Sequence, residues 1–333
     1  MRKILWPFSL IYGAITALRN IFFNNKWLPI YYPAVKTIAI GNLSTGGTGK
    51  TPMTEFLLKH LDYQSAVVVS RGYGRKTTGL LLVDEQGSAN DSGDEALQIA
   101  QKFPTTQVIV AEKRKLALEA ALDFNPDLVL MDDAFQHRSV QADTYIMLTA
   151  YHNLFTEDLI LPAGNLREAR RGAKRATVIV VTKCPPDLSS TRKEEIKNAI
   201  ANYSEAPIYF SSLAYSPLKN NSGKKFEGNK AILFSGIAYP KYMVEHISTS
   251  LELVDQHHFK DHYSFSLSDL KTLLAQANKE KAVLICSEKD FVKVASLGLS
   301  QDELAAIYIL EVEHFFLAGD QESFLKQLTP IIS

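Results

Sequence analysis

A glycine-rich segment near the N-terminus constrains the fold of this chain more than any other part of its sequence. It occupies residues 46–51, after an apolar run at residues 37–43 and before an apolar pattern typical of a helix. Glycines in such a turn let backbone N–H groups surround phosphate oxygens, and the positive end of the following helix faces the same anion. We therefore predict a phosphate-binding loop between a strand and a helix.

The loop departs at one position from the common pattern G-x-x-x-x-G-K-[ST]. Ser44 stands where that pattern has its first glycine, so we expect this serine to adopt backbone geometry that glycine adopts more easily. We expect Lys50 to reach the β- and γ-phosphates of a nucleotide and the Thr51 hydroxyl to ligate Mg²⁺. The alternative is a glycine-rich turn with Lys-Thr present by chance. The predicted nucleotide contacts of the loop are Ser44, Thr45, Gly46, Gly47, Thr48, Gly49, Lys50 and Thr51.

Short apolar runs alternate with helical patterns in the first two thirds of the chain. Predicted strands cover residues 37–43, 66–69, 108–110, 128–131, 145–148 and 178–181. Predicted helices cover residues 54–61, 95–102 and 113–124. Strands that are apolar on both faces are typical of a sheet covered by helices on two sides, so we predict an α/β fold with a doubly wound, mostly parallel sheet of the P-loop NTPase kind. Ligands bind such a sheet at the carboxyl ends of its strands.

The length of 333 residues exceeds the usual size of a single core, so we expect more than one domain. A second α/β unit is indicated by predicted strands at 231–234 and 282–286 and helices near 241–251 and 267–279. Residues 308–316 alternate like one strand that returns to the first domain. We predict an N-terminal amphipathic helix at 1–30, a P-loop ATP-binding domain at 31–210, a linker or hairpin at 211–228, a smaller α/β domain at 229–305, and a return strand with a terminal helix at 306–333.

The N-terminus is apolar. Residues 4–18 carry no charge, and Arg2 and Lys3 precede them while Arg19 follows. A bilayer span takes about 20 apolar residues, so crossing would require residues 21–23 to join and Arg19 to snorkel. The lack of an A-x-A cleavage site disfavours a secretory signal. We expect a helix that lies in the membrane interface; a helix docked on the protein's own core is the alternative.

Charge and cysteine content exclude other classes. Lys plus Arg equals Asp plus Glu at 36 each, so no net field attracts nucleic acid. Cys184 and Cys286 lie far apart without metal-ligand spacing, which fits a reducing compartment. We expect no nucleic-acid partner, and we infer no obligate protein partner.

A pair of carboxylates ends one of the predicted strands. Asp132 and Asp133 directly follow the apolar run 128–131. Carboxylates at a strand end face a phosphate loop on the same sheet edge, where one can hold Mg²⁺ and the other can orient water or a base. Gln136 and His137 follow directly, so we expect them to line the same crevice.

Two basic segments are candidates for anion binding. Arg71 and Tyr73 lie in a glycine-containing turn after the second strand, for which a solvated turn is the alternative. Arg167 and Glu168 follow a Pro-Ala-Gly turn, where contact with phosphate or an acidic substrate competes with an ordinary helix start. Lys183 stands in a T-K motif whose spacing is wrong for guanine recognition, and we infer no guanine site.

Acids and histidines elsewhere in the chain allow more than one interpretation. Asp94 or Ser92 could cap the helix predicted after them. His257, His258 and His262 invite a metal site, but they have no cysteine nearby. A histidine-rich loop facing a cleft is a better candidate for proton transfer.

Taken together, these motifs resemble the tetraacyldisaccharide 4'-kinase family, the lipid A kinases. The resemblance runs from the N-terminal helix to about residue 293. The motifs are GNLSTGGTGKTP at 41–52, SRGYGR at 70–75, GDE at 93–95, DDAFQHR at 132–138, PAGNLRE at 162–168, FKDHY at 259–263 and SEKD at 287–290. The resemblance implies transfer of the ATP γ-phosphate to the 4'-hydroxyl of a tetraacylated disaccharide 1-phosphate. It also implies action in lipid A biosynthesis at the cytoplasmic face of a Gram-negative inner membrane.

The resemblance implies a role for each matched residue. Asp94 and His262 would together form the catalytic base that accepts the hydroxyl proton. The implied Mg²⁺ ligands are Thr51, Asp132, Asp133 and Glu168, and the implied further contacts to ATP are Arg71, Tyr73, Gln136, His137 and Arg167. The main competing class is a P-loop ATPase or GTPase switch of the metallochaperone or partitioning kind, whose signature lysine is missing at Thr45. A membrane-tethered nucleotide-binding scaffold without catalysis is a third.

Overall fold

The structure is a computed structural model and describes residues 2–332. Met1, the first residue of the predicted range 1–30, and Ser333, the last residue of the predicted range 306–333, lie outside the described residues. The strands are β1 (Thr37–Asn42), β2 (Ala66–Ser70), β3 (Leu81–Leu82), β4 (Gln107–Val110), β5 (Leu128–Met131), β6 (Thr144–Ala150), β7 (Val178–Thr182), β8 (Ile208–Tyr215), β9 (Lys219–Asn220), β10 (Lys230–Ser235), β11 (Glu252–His258), β12 (Val283–Ser287), β13 (Ile307–Leu310) and β14 (Val312–Phe316).

Helices connect most of these strands. They are α1 (Trp6–Asn24), α2 (Lys50–His60), α3 (Ala89–Ser92), α4 (Asp94–Lys102), α5 (Arg114–Ala121), α6 (Ser190–Ala201), α7 (Lys241–Ser248), α8 (Leu267–Glu280), α9 (Glu288–Ala295), α10 (Gln301–Ala305) and α11 (Asp320–Ile332). Short 3₁₀ helices cover Arg2–Leu5, Leu122–Phe124 and Arg170–Arg175.

The larger sheet has nine strands in the order β14-β8-β7-β6-β1-β5-β2-β4-β3. Neighbouring strands are parallel except at the two edges, where β3 and β14 run antiparallel. The chain extends the sheet to one side of β1 first and to the other side later, and this reversal opens a crevice at the carboxyl end of β1. The predicted doubly wound, mostly parallel α/β fold is confirmed.

Both faces of this sheet are buried. Ile38 and Ile40 of β1 pack in one core with Leu57 of α2 and Leu97 of α4. Ala39, between them in sequence, faces the opposite core. Successive strand residues point to opposite faces, so helices must cover both sides, and residues 38–40 of the strand are all apolar and buried.

The smaller sheet has five strands in the order β11-β10-β12-β13-β9. The expected single strand at 308–316 is wrong, because the chain forms β13 in the smaller sheet and then β14 in the larger one. Glu311 is the only residue between them. Its carboxylate lies 3.8 Å from the Lys102 ammonium of α4, which ties the crossing point to the larger unit. Strand β8 also extends through Tyr215, so the segment predicted as linker begins in regular structure.

The N-terminal helix α1 turns its apolar side outward. Its exposed apolar side chains, with that of the preceding turn, are Ile4, Trp6, Phe8, Leu10, Ile11, Ile15, Leu18 and Ile21. Polar groups hold it to the protein: the Ser9 hydroxyl donates to the Ile160 carbonyl at 2.9 Å, and Asn20 donates to Glu168 at 2.9 Å. The alternative of an apolar face docked on the protein's own core is therefore wrong. Among residues 2–332, no helix combines the length and apolarity that crossing a bilayer requires.

Candidate active site

The two sheets border a common cleft of about 820 Å³. Helix α1, the phosphate loop, the turns after β10 and β11 and the start of α9 all contribute to its lining. Nearly all of the predicted site residues line this cleft. Ser44 and Asp94 are the two that do not, and both are buried next to residues that do.

The phosphate loop is held by hydrogen bonds to the surrounding sheet. The Asn42 amide donates to the Thr48 hydroxyl at 2.8 Å, and the Thr182 hydroxyl of β7 donates to the Thr48 carbonyl at 2.8 Å. The Thr45 N–H donates to the carbonyl of Asn165 at 2.7 Å, so the Pro-Ala-Gly turn is docked on the loop. These contacts fix the loop against β7 and the Pro-Ala-Gly turn.

The prediction about Ser44 is wrong in its backbone detail. The positive φ angles of the loop occur at Gly46 (106°) and Gly49 (86°), whereas Ser44 is not among the residues with positive φ. Ser44 instead forms a β-bridge with Leu166. A serine is tolerated there because the loop reverses at the two later glycines.

Helix α2 begins at Lys50, four residues before its predicted start, and carries Lys50 and Thr51 on its first turn. Pro52 lies in that turn, where its missing N–H removes no intrahelical hydrogen bond. The Lys50 ammonium lies 3.7 Å from Asp133, and Arg167 donates to the same carboxylate at 3.0 Å. The loop, the strand-end acid and the arginine therefore meet at one place.

Asp132 is a buried carboxylate with few partners. Burial raises its pKa to about 7, nearby Glu95 and Asp133 add to the rise, and Lys50 and Arg114 oppose it. The Thr54 hydroxyl is a weak partner at 3.5 Å. The pKa of Asp133 is lowered instead, because the charges of Lys50 and Arg167 outweigh its burial.

Burial is the main cause of the raised pKa of Asp132, and Lys50 and Arg114 only partly offset it. Hard oxygen donors are what Mg²⁺ selects, and Thr51, Asp132 and Asp133 all line the same cleft. The residues therefore fit a magnesium ion held by one hydroxyl and one or both aspartates.

Glu168 is not gathered into this set. Its two carboxylate oxygens accept from Arg175 at 2.8 and 2.9 Å, and Asn20 and Gln136 also donate to it. Within residues 2–332, no group of three or more His, Cys, Asp or Glu side chains is placed to hold a metal ion. The Arg175 guanidinium already neutralises Glu168, so this carboxylate joins α1 to the cleft wall in the structure.

The Asp94 and His262 side chains meet in the wall of the cleft, where His262 is part of the lining and Asp94 is buried behind it. His262 Nδ1 lies 3.0 Å from Asp94 Oδ2, and the ammonium of Lys289 lies 3.3 Å from His262 Nε2. Lys289 also pairs with Glu95 at 3.0 Å. Asp94 is the first residue of α4 and its N-cap is Gly93, so the alternative of Asp94 or Ser92 as the cap of this helix is wrong.

Each member of the pair favours the charged form of the other. Burial alone would raise the pKa of Asp94, but the hydrogen bond from His262 and the charge of Lys289 outweigh it and lower that pKa. The hydrogen bond to Asp94 raises the pKa of His262 above 6.5, against opposing effects of burial and Lys289. With Nδ1 donating to Asp94, Nε2 is the nitrogen that can accept a proton.

The SEKD segment fixes the position of His262. The carboxylate of Asp290 is fully buried and accepts from the Gly236 N–H at 3.1 Å and from the Ser287 hydroxyl at 2.7 Å. Gly236 in turn accepts from the His262 N–H at 3.0 Å. His257 and His258 lie on β11 and bond to glutamines instead, so the three histidines do not form one cluster.

The remaining predicted residues surround these groups. Tyr73 is largely exposed, and its ring centroid lies 5.0 Å from that of His262. Gln136 donates to the Asn42 carbonyl at 2.6 Å. Burial and the charge of Arg114 lower the pKa of His137 to about 4, so its ring is neutral at physiological pH. Arg71 lines the cleft and is exposed.

Sequence reasoning missed two lysines in the cleft. Burial lowers the pKa of Lys183 to about 8, and its ammonium lies 5.5 Å and 5.6 Å from the ring centroids of Tyr239 and Tyr242. Lys289, beside His262, was given no role. Both lysines closely follow carboxyl ends of strands, β7 and β12. That position was the available signal.

The geometry agrees with comparisons to known proteins. Residues 1–333 match the family model described as tetraacyldisaccharide-1-P 4'-kinase. A tetraacyldisaccharide 4'-kinase from Flavobacterium psychrophilum is 40% identical over 98% of this chain and 96% of its own length. One from Bacteroides thetaiotaomicron is 35% identical over 98% of this chain and 92% of its own.

A solved structure is also similar along the whole chain. LpxK from Aquifex aeolicus, crystallised in complex with ATP, has a TM-score of 0.78 and 26% identity, covering 100% of this chain and 99% of that one. The fold and the relatives agree with the resemblance seen in the sequence. This chain belongs to the tetraacyldisaccharide 4'-kinase family.

Proposed function

We propose that this chain transfers the γ-phosphate of ATP to the 4'-hydroxyl of a tetraacyldisaccharide 1-phosphate, giving the 4'-phosphorylated lipid A precursor lipid IVA. The observation that carries the proposal is the 3.0 Å contact between His262 and Asp94 in the wall of the cleft that contains the phosphate loop. This contact places the Asp94–His262 pair beside the same cavity as the proposed phosphate-donor site. A nucleotide switch uses the loop but has no need of such a pair.

ATP would bind with its phosphates on the loop and its base on the apolar side of the cleft. Lys50, Arg71 and Arg167 supply positive charge at the phosphate side, as expected for sites that hold phosphoryl groups. The apolar part of the lining includes Leu213, Tyr239 and Val312. Flat aromatic and aliphatic surfaces of this kind suit a purine ring.

Thr51, Asp132 and Asp133 are the residues that would hold Mg²⁺. An Mg²⁺ ion held there would neutralise negative charge that develops on the phosphate oxygens during transfer. The pair Asp133–Arg167 lies next to Lys50, so these three charged groups would together surround the γ-phosphate. Glu168 contributes indirectly, by holding α1 through Asn20.

His262 is the catalytic base in this proposal. A sugar hydroxyl is a poor nucleophile, and a positioned base contributes about 10²- to 10⁴-fold to its reaction. Nε2 takes the hydroxyl proton as the 4'-oxygen bonds to the γ-phosphorus, and the bond from that phosphorus to the β–γ bridging oxygen breaks to release ADP. Asp94 orients the ring and stabilises the imidazolium that forms. Lys289 must withdraw from Nε2 when the hydroxyl arrives, and Glu95 offers it a partner at 3.0 Å.

The enzyme would act at a membrane surface, the cytoplasmic face of a Gram-negative inner membrane. Helix α1 supports this placement because its apolar side chains point outward while Tyr12, Thr16, Arg19 and Asn20 line the cleft. Apolar side chains in the interface anchor a helix there. An acylated substrate could then present its sugar to the cleft with its acyl chains still in the bilayer.

Transfer of labelled phosphate tests the function directly. Purified protein, Mg²⁺, labelled ATP and a tetraacyldisaccharide 1-phosphate in mixed micelles should yield a labelled lipid with the phosphate on the 4'-oxygen. Lys50→Met is the matched control, because it keeps the length of the side chain and removes its charge. We expect it to lower transfer about 10²- to 10³-fold. Absence of transfer, together with ATP hydrolysis that the lipid does not alter, would exclude the kinase function.

A further inference from the structure

His314 is a buried histidine that contacts the phosphate loop but is not part of the cleft lining. It lies on β14 with 5% of its surface exposed. Its Nε2 lies 2.9 Å from the Gly49 carbonyl oxygen, and its Nδ1 lies 3.0 Å from the Ser211 hydroxyl of β8. No motif in the sequence pointed to this residue.

The two contacts define which nitrogen of His314 carries the proton. Burial, helped by the charge of Lys183, lowers the pKa of His314 to about 4, although the hydrogen bond with Gly49 opposes this. The ring is therefore neutral at physiological pH. A carbonyl oxygen can only accept, so Nε2–H donates to Gly49 and Nδ1 accepts from the Ser211 hydroxyl.

The Gly49 carbonyl lies at a sensitive point of the loop. Gly49 has a φ of 86°, and its carbonyl also accepts the N–H of Met53 at 3.0 Å as α2 begins. A Cβ atom on residue 49 would lie 3.0 Å from His314 Nε2, so only glycine allows this approach. The peptide between Gly49 and Lys50 is planar and trans, and its N–H points away from its carbonyl. Anchoring the carbonyl therefore fixes the direction of the Lys50 N–H.

The strand that carries His314 comes directly from the smaller sheet. Only Glu311 separates β13 of that sheet from β14. The chain is extended through this segment, and extended chain has little slack, at about 3.3 Å per residue. A displacement of the smaller sheet would therefore pull on the strand that holds the loop.

We propose that His314 is a positioning residue for ATP: by holding the Gly49 carbonyl, it orients the Lys50 N–H toward the bound phosphates. The inference rests on the proposed function only in taking ATP as the ligand of the loop. His314 touches neither substrate in this arrangement and acts through the backbone of the loop.

Two isosteric substitutions separate the hydrogen bond from packing. In His314→Gln the amide nitrogen can occupy the place of Nε2 and donate to Gly49, whereas in His314→Asn it falls near Nδ1 and cannot reach. We expect the Kd for a non-hydrolysable ATP analogue with Mg²⁺ to stay within about twofold in the Gln variant and to rise about tenfold in the Asn variant. The KM for ATP should follow the Kd, while the KM for the lipid acceptor stays unchanged.

Ser211→Ala is a milder variant that keeps the ring and removes only its orienting partner. We expect about a threefold rise in the Kd for the ATP analogue. Thermal unfolding of all variants measures packing separately. If the Gln and Asn variants bind the analogue equally well, or lose binding only in proportion to a lower Tm, the proposal is overturned. Because binding is measured without the lipid, a protein that fails to phosphorylate lipid can still support or refute the role of His314.

Discussion

The donor side and the acceptor side of the cleft are built differently. The phosphate loop, the Asp132–Asp133 pair and Arg167 all belong to the larger unit, where hydrogen bonds from neighbouring strands hold the loop. The proposed base is divided: Asp94 starts α4 of the larger unit, and His262 follows β11 of the smaller one. Lys289 joins the two units beside it.

This difference separates binding from transfer. We expect ATP binding not to require contact between Asp94 and His262, because hydrogen bonds within the larger unit brace the phosphate loop. Asp94 and His262 can pair only when the two units lie within hydrogen-bonding distance of each other. We therefore expect transfer to require closure of the cleft. Such an order would protect ATP, because His262 would lack its orienting partner Asp94 while the cleft is open.

The largest expected effect is on turnover and comes from removing either side chain of the Asp94–His262 pair. Asp94→Ala and His262→Ala should each lower turnover about 10²- to 10⁴-fold, because the acceptor hydroxyl loses its base or that base loses its orientation. ATP-analogue binding should stay within about threefold of the native value. Single-turnover transfer and analogue titration measure the two quantities.

A histidine outside the pair provides the control for this experiment. His258→Ala removes an exposed imidazole of β11 that bonds to Gln256, and it should leave turnover within about twofold. The double variant of Asp94 and His262 should be little worse than either single variant, because the two residues act as one unit. Additive losses would show that the residues act separately.

The next effect concerns delivery of the acceptor by α1. Trp6→Ser combined with Phe8→Ser should weaken binding to vesicles containing anionic lipid about 10- to 100-fold, because complete burial of each large apolar side chain is worth about 1.5 to 3 kcal/mol and burial in the interface is about half complete. Vesicle co-sedimentation measures the partition. The KM for the lipid acceptor should rise, with ATP binding unchanged.

An exposed leucine on another surface is the matched control for α1. Leu116→Ser changes a side chain of α5 that is 45% exposed, compared with 58% for Trp6. It should leave vesicle binding unaltered. Equal losses in the α1 and α5 variants would mean that general surface apolarity, rather than α1, determines binding.

The smallest effect is on pH dependence and tests the contact between Lys289 and His262. Hydrogen bonding with Asp94 raises the pKa of His262, and the positive charge of Lys289 limits that rise, with Asp261 acting in the same direction as Asp94. Lys289→Met should raise the pKa further. The base works when neutral, so the acidic limb of kcat/KM should move to higher pH, with the rate lowered below the pKa and near its native value well above it.

The charge-conserving variant separates electrostatics from structure. Lys289→Arg should keep the acidic limb near its native position, because a guanidinium can pair with Glu95 and leave a positive charge near His262. If Lys289→Met lowers the rate equally at every pH, the lysine acts on closure and not on the base.

Sequence alone predicted the features that depend on neighbouring residues. The phosphate loop and the carboxylate pair are contiguous segments at strand ends, so strand periodicity placed them on the correct edge of the sheet. The pairing of Asp94 with His262 came from family resemblance, because 168 positions separate them and no local pattern connects them.

Other features depend on tertiary packing that periodicity does not encode. The division of residues 308–316 between two sheets was missed because Tyr308 to Phe316 alternates without interruption. The partner of Glu168 was missed because Arg175 follows seven positions later, through a turn and a 3₁₀ helix. The contact of His314 with Gly49 could not be predicted because 265 positions separate the two residues and no local pattern connects them.

Helix α1 exposes its apolar side chains and turns polar ones toward the protein, which has a practical consequence for handling this protein. Deleting the helix to obtain a water-soluble form would also remove Tyr12, Thr16, Arg19 and Asn20, which wall the cleft, and would leave Glu168 without one of its donors. Replacing the outward side chains with polar ones keeps that wall. Redesign of the exposed stripe, rather than truncation, is therefore the route to a detergent-free enzyme for crystallisation and inhibitor screening.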